Sequence, residues 1–424
     1  MTEFAASPAR TSSAAPTTRL DAGVRIAEID LMRGLVIVLM ALDHVRDYFF
    51  NGAGMIGAGG ALLDPAVTTP AIYATRWITH LCAPTFVLLV GVSAFLQSAK
   101  GKPAPKLSGF LLTRGLWLIV LEITVLSFGW SFGFPYPFFL QVIWAIGWCM
   151  LALAALVWLP RVAVLAIGSV ITLGHNLLDP ISAQDLGTLQ MLWTFLHEGG
   201  PVIVGGQPIG LFAYPILPWI GIAALGYGLG GVFAEAPPAR DRKIFVIGLI
   251  MLAAFLLLRG AMIYGDPAFA TGPEGAWKDW RDQTTLGAAF MVFFDVQKYP
   301  PSLQFTLVTL GIMFTLWPAL ARLRGRVGGV LVTFGAVPFF FYILHIYLIH
   351  ALAIAANAAA GRNVEGLFDY MINVFIAPEK LAGLGFSLPW VYAAWLVVLA
   401  LLYPLCRYWQ RLKTTRRDWW LSYL

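Results

Sequence analysis

The chain has 424 residues, 59% of them hydrophobic and only 12% charged, with 16 Trp and 29 Phe and a mean hydropathy of +0.76. That balance excludes a soluble globular enzyme and leaves an all-α, polytopic membrane bundle, because a chain inside lipid must satisfy its own backbone. The net charge of +6 does not point to nucleic acid, since the basic residues collect between apolar runs. Cys82, Cys149 and Cys406 lie in or beside apolar segments without paired spacing, so neither a disulfide framework nor a zinc site is indicated and no metal is expected.

Residues 1–24 are rich in Ala, Ser, Thr and Pro and lack a signal-peptide layout. They read as a disordered cytoplasmic tail. Residues 25–412 read as one transmembrane domain and 413–424 as a cytoplasmic C-terminal tail. About ten spans are expected, near 29–49, 77–98, 108–129, 138–159, 161–178, 209–234, 244–264, 302–322, 328–355 and 388–409. The Gly/Pro-rich run at 205–231 is expected to be broken or re-entrant. Lys100, Lys102, Lys106, Arg161, Arg240, Arg242, Lys243, Arg322, Arg324 and Arg326 fall in alternate loops, and Arg407, Arg411, Lys413, Arg416 and Arg417 gather at the end of span ten and after it. By the positive-inside rule both termini are cytoplasmic.

The first span organises the rest. Its middle, Leu35–Leu42, is apolar, yet the same helix carries Asp30, Arg33, Asp43, His44 and Asp47. At about 100° and 1.5 Å per residue, Arg33 and His44 lie roughly 20° apart on the helical wheel and about 16 Å apart along the axis. Asp30 falls close to that stripe, and Asp47 sits one turn beyond His44. Ionisable groups at bilayer depth cost several kcal/mol, so such a stripe faces a bundle interior or a wet cavity. Asp30 and Arg33 also fit an interfacial anchor, and His44 a histidine bonded to a neighbouring carbonyl.

Span two opens with Arg76 and His80 at i,i+4, so His44 and His80 are expected on adjacent helices at similar depth; Pro84 is expected to kink span two. Glu122 lies in the apolar middle of span three and reads as a protonated acid, as half of a structural ion pair with Arg33 or Arg114, or as part of the site. Gln141 opens span four and suits either substrate or a neighbouring helix. The outward loop 265–301 holds Trp277 and Trp280 among carboxylates, a sugar platform or an interfacial belt. His345 shares a face of span nine with Tyr342, whereas His350 is about 140° away. His345 reads as packed among aromatics or as lining the pocket from the far side. No P-loop, HExxH, GxSxG or Rossmann glycine pattern is present.

Several segments together carry a family likeness. Arg25-(x)4-Asp30-Leu-Met-Arg33-Gly34, Ala83-Pro84-Thr-Phe-Val-Leu-Leu-Val-Gly91, Leu140-Gln141-(x)4-Ile146-Gly147, Tyr299-Pro-Pro-Ser-Leu-Gln-Phe-Thr-Leu and Phe341-Tyr342-(x)2-His345 resemble bacterial relatives of heparan-α-glucosaminide N-acetyltransferase. The spacing Arg33-(x)10-His44 also resembles bacterial membrane O-acyltransferases that decorate surface polysaccharides, where such a histidine is the proposed base. The animal-type enzymes carry Asn at the position of His44 and their proposed histidine in the first outward loop. Here residues 49–76 hold no histidine, which leaves His44 as the better candidate and His80 behind it.

The resemblance implies an enzyme of the bacterial cytoplasmic membrane that uses acetyl-CoA or another acyl-CoA as donor. On this reading His44 is the base or carries the acyl group, Asp43 or Asp47 orients its ring, and His80 is the reserve. Arg33, Arg76, Asp30, Gln141, Glu122, His345, Trp277 and Trp280 are the expected binding residues. The implied partners are acyl-CoA, a glycan or other small acceptor and membrane lipid, without nucleic acid; a homodimer is compatible with it. The other class carried forward is a proton-coupled transporter or flippase of a lipid-linked sugar or small solute, built on the same polar stripe.

Overall fold

The computed structural model describes residues 26–51, 68–266, 279–416 and 418–422; the expected tail at 1–24 lies outside them. Every apolar run expected to span is helical at its centre. The helices are α1 (Ala27–Phe49), α2 (Pro70–Ala99), α3 (Ala104–Ser131), α4 (Val142–Leu156), α5 (Arg161–Leu178), α6 (Ile216–Phe233), α7 (Pro237–Ala261), α8 (Leu303–Arg322), α9 (Gly325–Ala336), α10 (Pro338–Ala359) and α11 (Leu388–Thr415). Eight of them are long and apolar enough to cross a bilayer among the described residues, which makes this a multi-pass membrane protein. The two missing from the expected ten differ in kind. α1 is long enough but carries Glu28, Asp30, Arg33, Asp43, Arg46 and Asp47. α4 has 15 residues, about 22 Å of helix against a hydrocarbon core of about 30 Å.

Three expectations about single spans are corrected. The run at 328–355 is two helices, because Pro338 excludes helical backbone at Val337, which sits at φ −132° and ψ 50°. The runs at 138–159 and 209–234 each begin as a strand. Here β1 (Phe138–Leu140) pairs in parallel with β3 (Gln207–Phe212), and β3 pairs antiparallel with β2 (Gly200–Val204) in the order β1-β3-β2. The β2–β3 turn is Gly205-Gly206, both at positive φ, the conformation a tight hairpin demands. Among the described residues the bundle is therefore helical with one small sheet, and β3 supplies the break expected near 205.

Small residues let the inner helices approach one another. A Cβ at Gly34 of α1 would lie 1.9 Å from the carbonyl oxygen of Leu331 in α9, and one at Gly335 would lie 1.9 Å from that of Asp30. Lipid supplies little drive for helix association, so such backbone-to-backbone packing supplies the cohesion. α1 consequently sits inside a ring formed by α2, α8, α9, α10 and α11, with most of its residues buried. The polar stripe faces protein and not lipid.

Candidate active site

Two cavities flank α1. One, beside the C-terminal half of α1 and called outer from the orientation expected of the sequence, has a volume of about 310 Å³ and is lined by Asp43, His44, Arg46, Asp47, Arg76, Thr79, Gln141 and Lys298, with Trp130, Phe139, Tyr214 and Tyr370 as aromatic walls. The sheet closes it through Gly199, Gly200 and Leu211–Pro215. The inner one, of about 330 Å³, is mainly apolar, lined by Phe86, Val90, Phe110, Leu118, Ile146, Met150 and Phe339, with Arg33, Arg114 and Lys413 among its few charges. Met40, Phe86 and Val142 line both, so the cavities meet along α1 between Arg33 and His44.

His44 is tied to α10. Its Nδ1 lies 2.7 Å from His345 Nε2, and the rings stack at 4.9 Å. His345 Nδ1 in turn lies 2.5 Å from the backbone carbonyl of Tyr342. A carbonyl only accepts, so for neutral rings His345 carries its proton on Nδ1 and accepts at Nε2. His44 then donates from Nδ1 and keeps the Nε2 lone pair. The edge of Trp130, with ring centroids 4.9 Å apart, braces the His44 ring. A backbone carbonyl thus sets the tautomer of a cavity-lining histidine through a second histidine.

The acids beside His44 do other work. Asp43 lies 2.7 Å from Arg46 Nη1, accepts from Thr79 Oγ1 at 2.9 Å, and has Arg76 at 3.6 Å and Lys298 at 4.0 Å. Asp47 lies 2.6 Å from Arg46 Nη2. The ring-orienting bond expected from Asp43 or Asp47 goes instead to His345. Both carboxylates turn to Arg46, which is 2% exposed and needs them, since a buried guanidinium without partners is costly. Tyr370 donates from Oη to the Asp47 carbonyl at 2.6 Å. Burial holds the Tyr214 and Tyr370 hydroxyls well above the ordinary phenol range, so both remain protonated.

The other expected residues divide. Arg76 and Gln141 line the outer cavity, and the buried Nε2 of Gln141 has no hydrogen-bond partner. Arg33 lines the inner cavity, donates to Ser93 Oγ and pairs with the buried Asp30 at 3.5 Å. His80 is buried against Phe305 and Trp77, outside the lining of either cavity, in a 3-10 turn at Ile78–Leu81. That turn relieves Pro84, which cannot continue regular helical bonding to the preceding turn. Glu122 is neither ion-paired nor in a cavity wall: its Oε2 accepts from Trp144 N at 2.8 Å, capping the first turn of α4. Trp280 packs edge-on against Phe293 at 5.4 Å, away from both cavities, and Trp277 lies outside the described residues. Arg46 and Lys298 were overlooked in the sequence because they counted only toward loop charge. Arg46 stands three residues after Asp43 and one before Asp47, a helical spacing that foretells its pairing.

The known-protein comparison decides the class. A family model described as "Heparan-alpha-glucosaminide N-acetyltransferase, catalytic" matches residues 25–264, more than half of the chain. The chain belongs to this family. Its class is therefore that of a transmembrane acetyltransferase, an enzyme of the transferase type. The matched residues run from the start of α1 through α7 and so contain His44, Arg46, Arg76, Gln141 and the sheet; His345 and Lys298 lie beyond them. No curated protein matches the chain.

Proposed function

We propose that this family member works in the bacterial cytoplasmic membrane, taking an acyl group, acetyl first, from cytoplasmic acyl-CoA and passing it to a sugar or similar acceptor on the extracytoplasmic side. The observation that carries this reading is the carbonyl–His345–His44 chain, which leaves an unprotonated ring nitrogen on a histidine that lines the outer cavity, on the helix whose Met40 the two cavities share. The Lys and Arg distribution supports cytoplasmic termini and a cytoplasmic mouth for the inner cavity. Arg33, Arg114 and Lys413 then meet the phosphates of CoA, and the apolar wall takes the pantetheine arm. Trp130, Phe139, Tyr214 and Tyr370, set among paired charges, suit the faces and hydroxyls of a sugar.

In the reaction, His44 Nε2 accepts the proton of the acceptor O–H or N–H as that atom attacks the thioester carbonyl carbon. The C–S bond breaks, and the imidazolium returns the proton to the departing thiolate to give free CoA. The unpartnered Gln141 Nε2 donates to the oxygen that gains charge. His345 holds the His44 ring through both stages.

Proteoliposomes test this sidedness. Labelled acetyl-CoA is supplied outside, with a panel of hexoses and amino sugars sealed inside. The account predicts label covalently attached to a lumenal sugar, with free CoA left outside. Label that enters only as intact acetyl-CoA, or sugar that crosses unmodified, would move the protein to the transporter class.

A further inference from the structure

A second cluster lies at the outer end of α5, outside the lining of either cavity. His175 and Asp179 are one helical turn apart, and His197 comes from a π-helical turn at Thr194–Glu198. One potential ligand atom from each falls within 4.8 Å of the others. His197 Nε2 lies 3.5 Å from Asp179 Oδ1. We propose that His175, Asp179 and His197 form a binding site for one divalent transition-metal ion, zinc above all, with a coordination position left for water.

Three features of the surroundings support this. The His175 ring is hydrogen-bonded to the backbone carbonyl of Pro301, while its Nδ1 is buried without any partner in a residue only 3% exposed. A histidine that gives one nitrogen's proton to a carbonyl presents the other nitrogen's lone pair, the arrangement metal-bound histidines adopt. Asp179 Oδ2 is held by Asn176 Nδ2 at 2.8 Å, which leaves Oδ1 toward His197. His197 stacks on Trp193 at 5.1 Å; its Nε2 donates to the His175 carbonyl oxygen at 3.0 Å, so metal binding requires that proton to leave and the contact to open. A plain His197–Asp179 ion pair accounts for two of these residues and leaves the His175 nitrogen unexplained.

Two imidazoles and one carboxylate form a donor set that zinc accepts readily. Ligand atoms around tetrahedral zinc stand about 3.3 Å apart, so closure asks for movements of roughly 1 Å. The location gives such an ion a purpose. Glu198, next to His197, lines the outer cavity with Gly199 and Gly200. Pro301 follows closely on Lys298 and Tyr299, also in that lining. Asn176 Oδ1 accepts from Leu303 N at 2.9 Å, joining the cluster to the start of α8. A metal here fastens α5, the sheet that closes the cavity and the segment bearing Lys298 into one unit.

The test uses full-length protein in detergent, stripped with a chelator and titrated with zinc, then separately with cobalt. One zinc per chain by elemental analysis, a raised melting temperature and visible d–d bands from cobalt are expected. Asp179→Asn, nearly isosteric, and His197→Ala should each lose the stoichiometric metal while eluting as monodisperse protein. Asp185→Asn, an exposed acid in the same loop, should keep it. Less than stoichiometric zinc in the wild type, or full retention by Asp179→Asn and His197→Ala, would overturn the site. None of these readouts depends on acyl transfer, so they stand or fall apart from the proposed reaction.

Discussion

The outer and inner cavities share three wall residues and are both mostly apolar, yet they differ in their charges. The outer wall gathers Asp43, Arg46, Asp47, Arg76 and Lys298, charges that neutralise one another at 2.6 to 4.0 Å. The inner wall has no acid: Arg33, Arg114 and Lys413 stand with Ser93, Gln97 and Tyr342 in a mainly apolar lining. One cavity can hold a hydroxyl-rich molecule and the other a long, mostly apolar arm ending in phosphate. His44 stands on the helix common to both. The difference teaches that the polar stripe on α1 serves two neighbours: its Arg33 end belongs to the inner cavity and its Asp43–Asp47 end to the outer.

Substitutions that separate the two cavities sharpen this contrast, and their effects should fall in a definite order. His44→Ala should cost about 10²–10⁴ in turnover, the usual worth of a positioned base, while acyl-CoA binding persists; single-turnover assay beside equilibrium binding reads both. Arg46→Met should be the most damaging change to stability, about 3–5 kcal/mol, because it leaves Asp43 and Asp47 buried without their main partner. Thermal or chemical unfolding in detergent measures it, and an unchanged midpoint would show that Arg46 is dispensable to the fold. Gln141→Leu should lower kcat by about 10²-fold with little change in the KM for donor, provided its amide meets the oxyanion. Arg114→Ala, on the inner side, should do the reverse: KM for acyl-CoA rises about tenfold and kcat holds. A matching fall in kcat would erase the distinction between the cavities.

Acidity offers a gentler probe of the same contrast. His44 must be neutral to accept a proton, so the rate should fall as the medium is acidified through its ionisation, while donor binding at Arg114 is unaffected. A rate that climbs as the medium is acidified would contradict the base role.

Much of this was legible in the chain for a simple reason: a charge in an apolar run has few innocent explanations. That argument marked Asp30, Arg33, Asp43, His44 and Asp47 as one stripe facing a bundle interior or a wet cavity; in the structure Asp43, His44 and Asp47 line one cavity and Arg33 lines the other. It could not assign partners, because His345 stands 301 residues from His44 and only packing joins them. The same logic overreached at Glu122, where the compensating positive end is a helix N-terminus and not a side chain. Arg46 and Lys298 escaped because counting loop charges discards their depth. The sheet was hidden because Phe138–Leu140 and part of Gln207–Phe212 are as apolar as the helices that follow them. His175 and His197 passed unremarked, being 22 residues apart in sequence and joined only by the fold.

The most direct test of the central claim is the release of free CoA from acetyl-CoA by detergent-purified protein in the presence of acceptor. Wild type, His44→Ala and His345→Ala would be compared, with donor binding measured on the same samples. The account predicts micromolar donor binding in all three, turnover in the wild type, near-complete loss in His44→Ala and a smaller loss in His345→Ala. Donor binding kept with turnover undiminished in His44→Ala would contradict it.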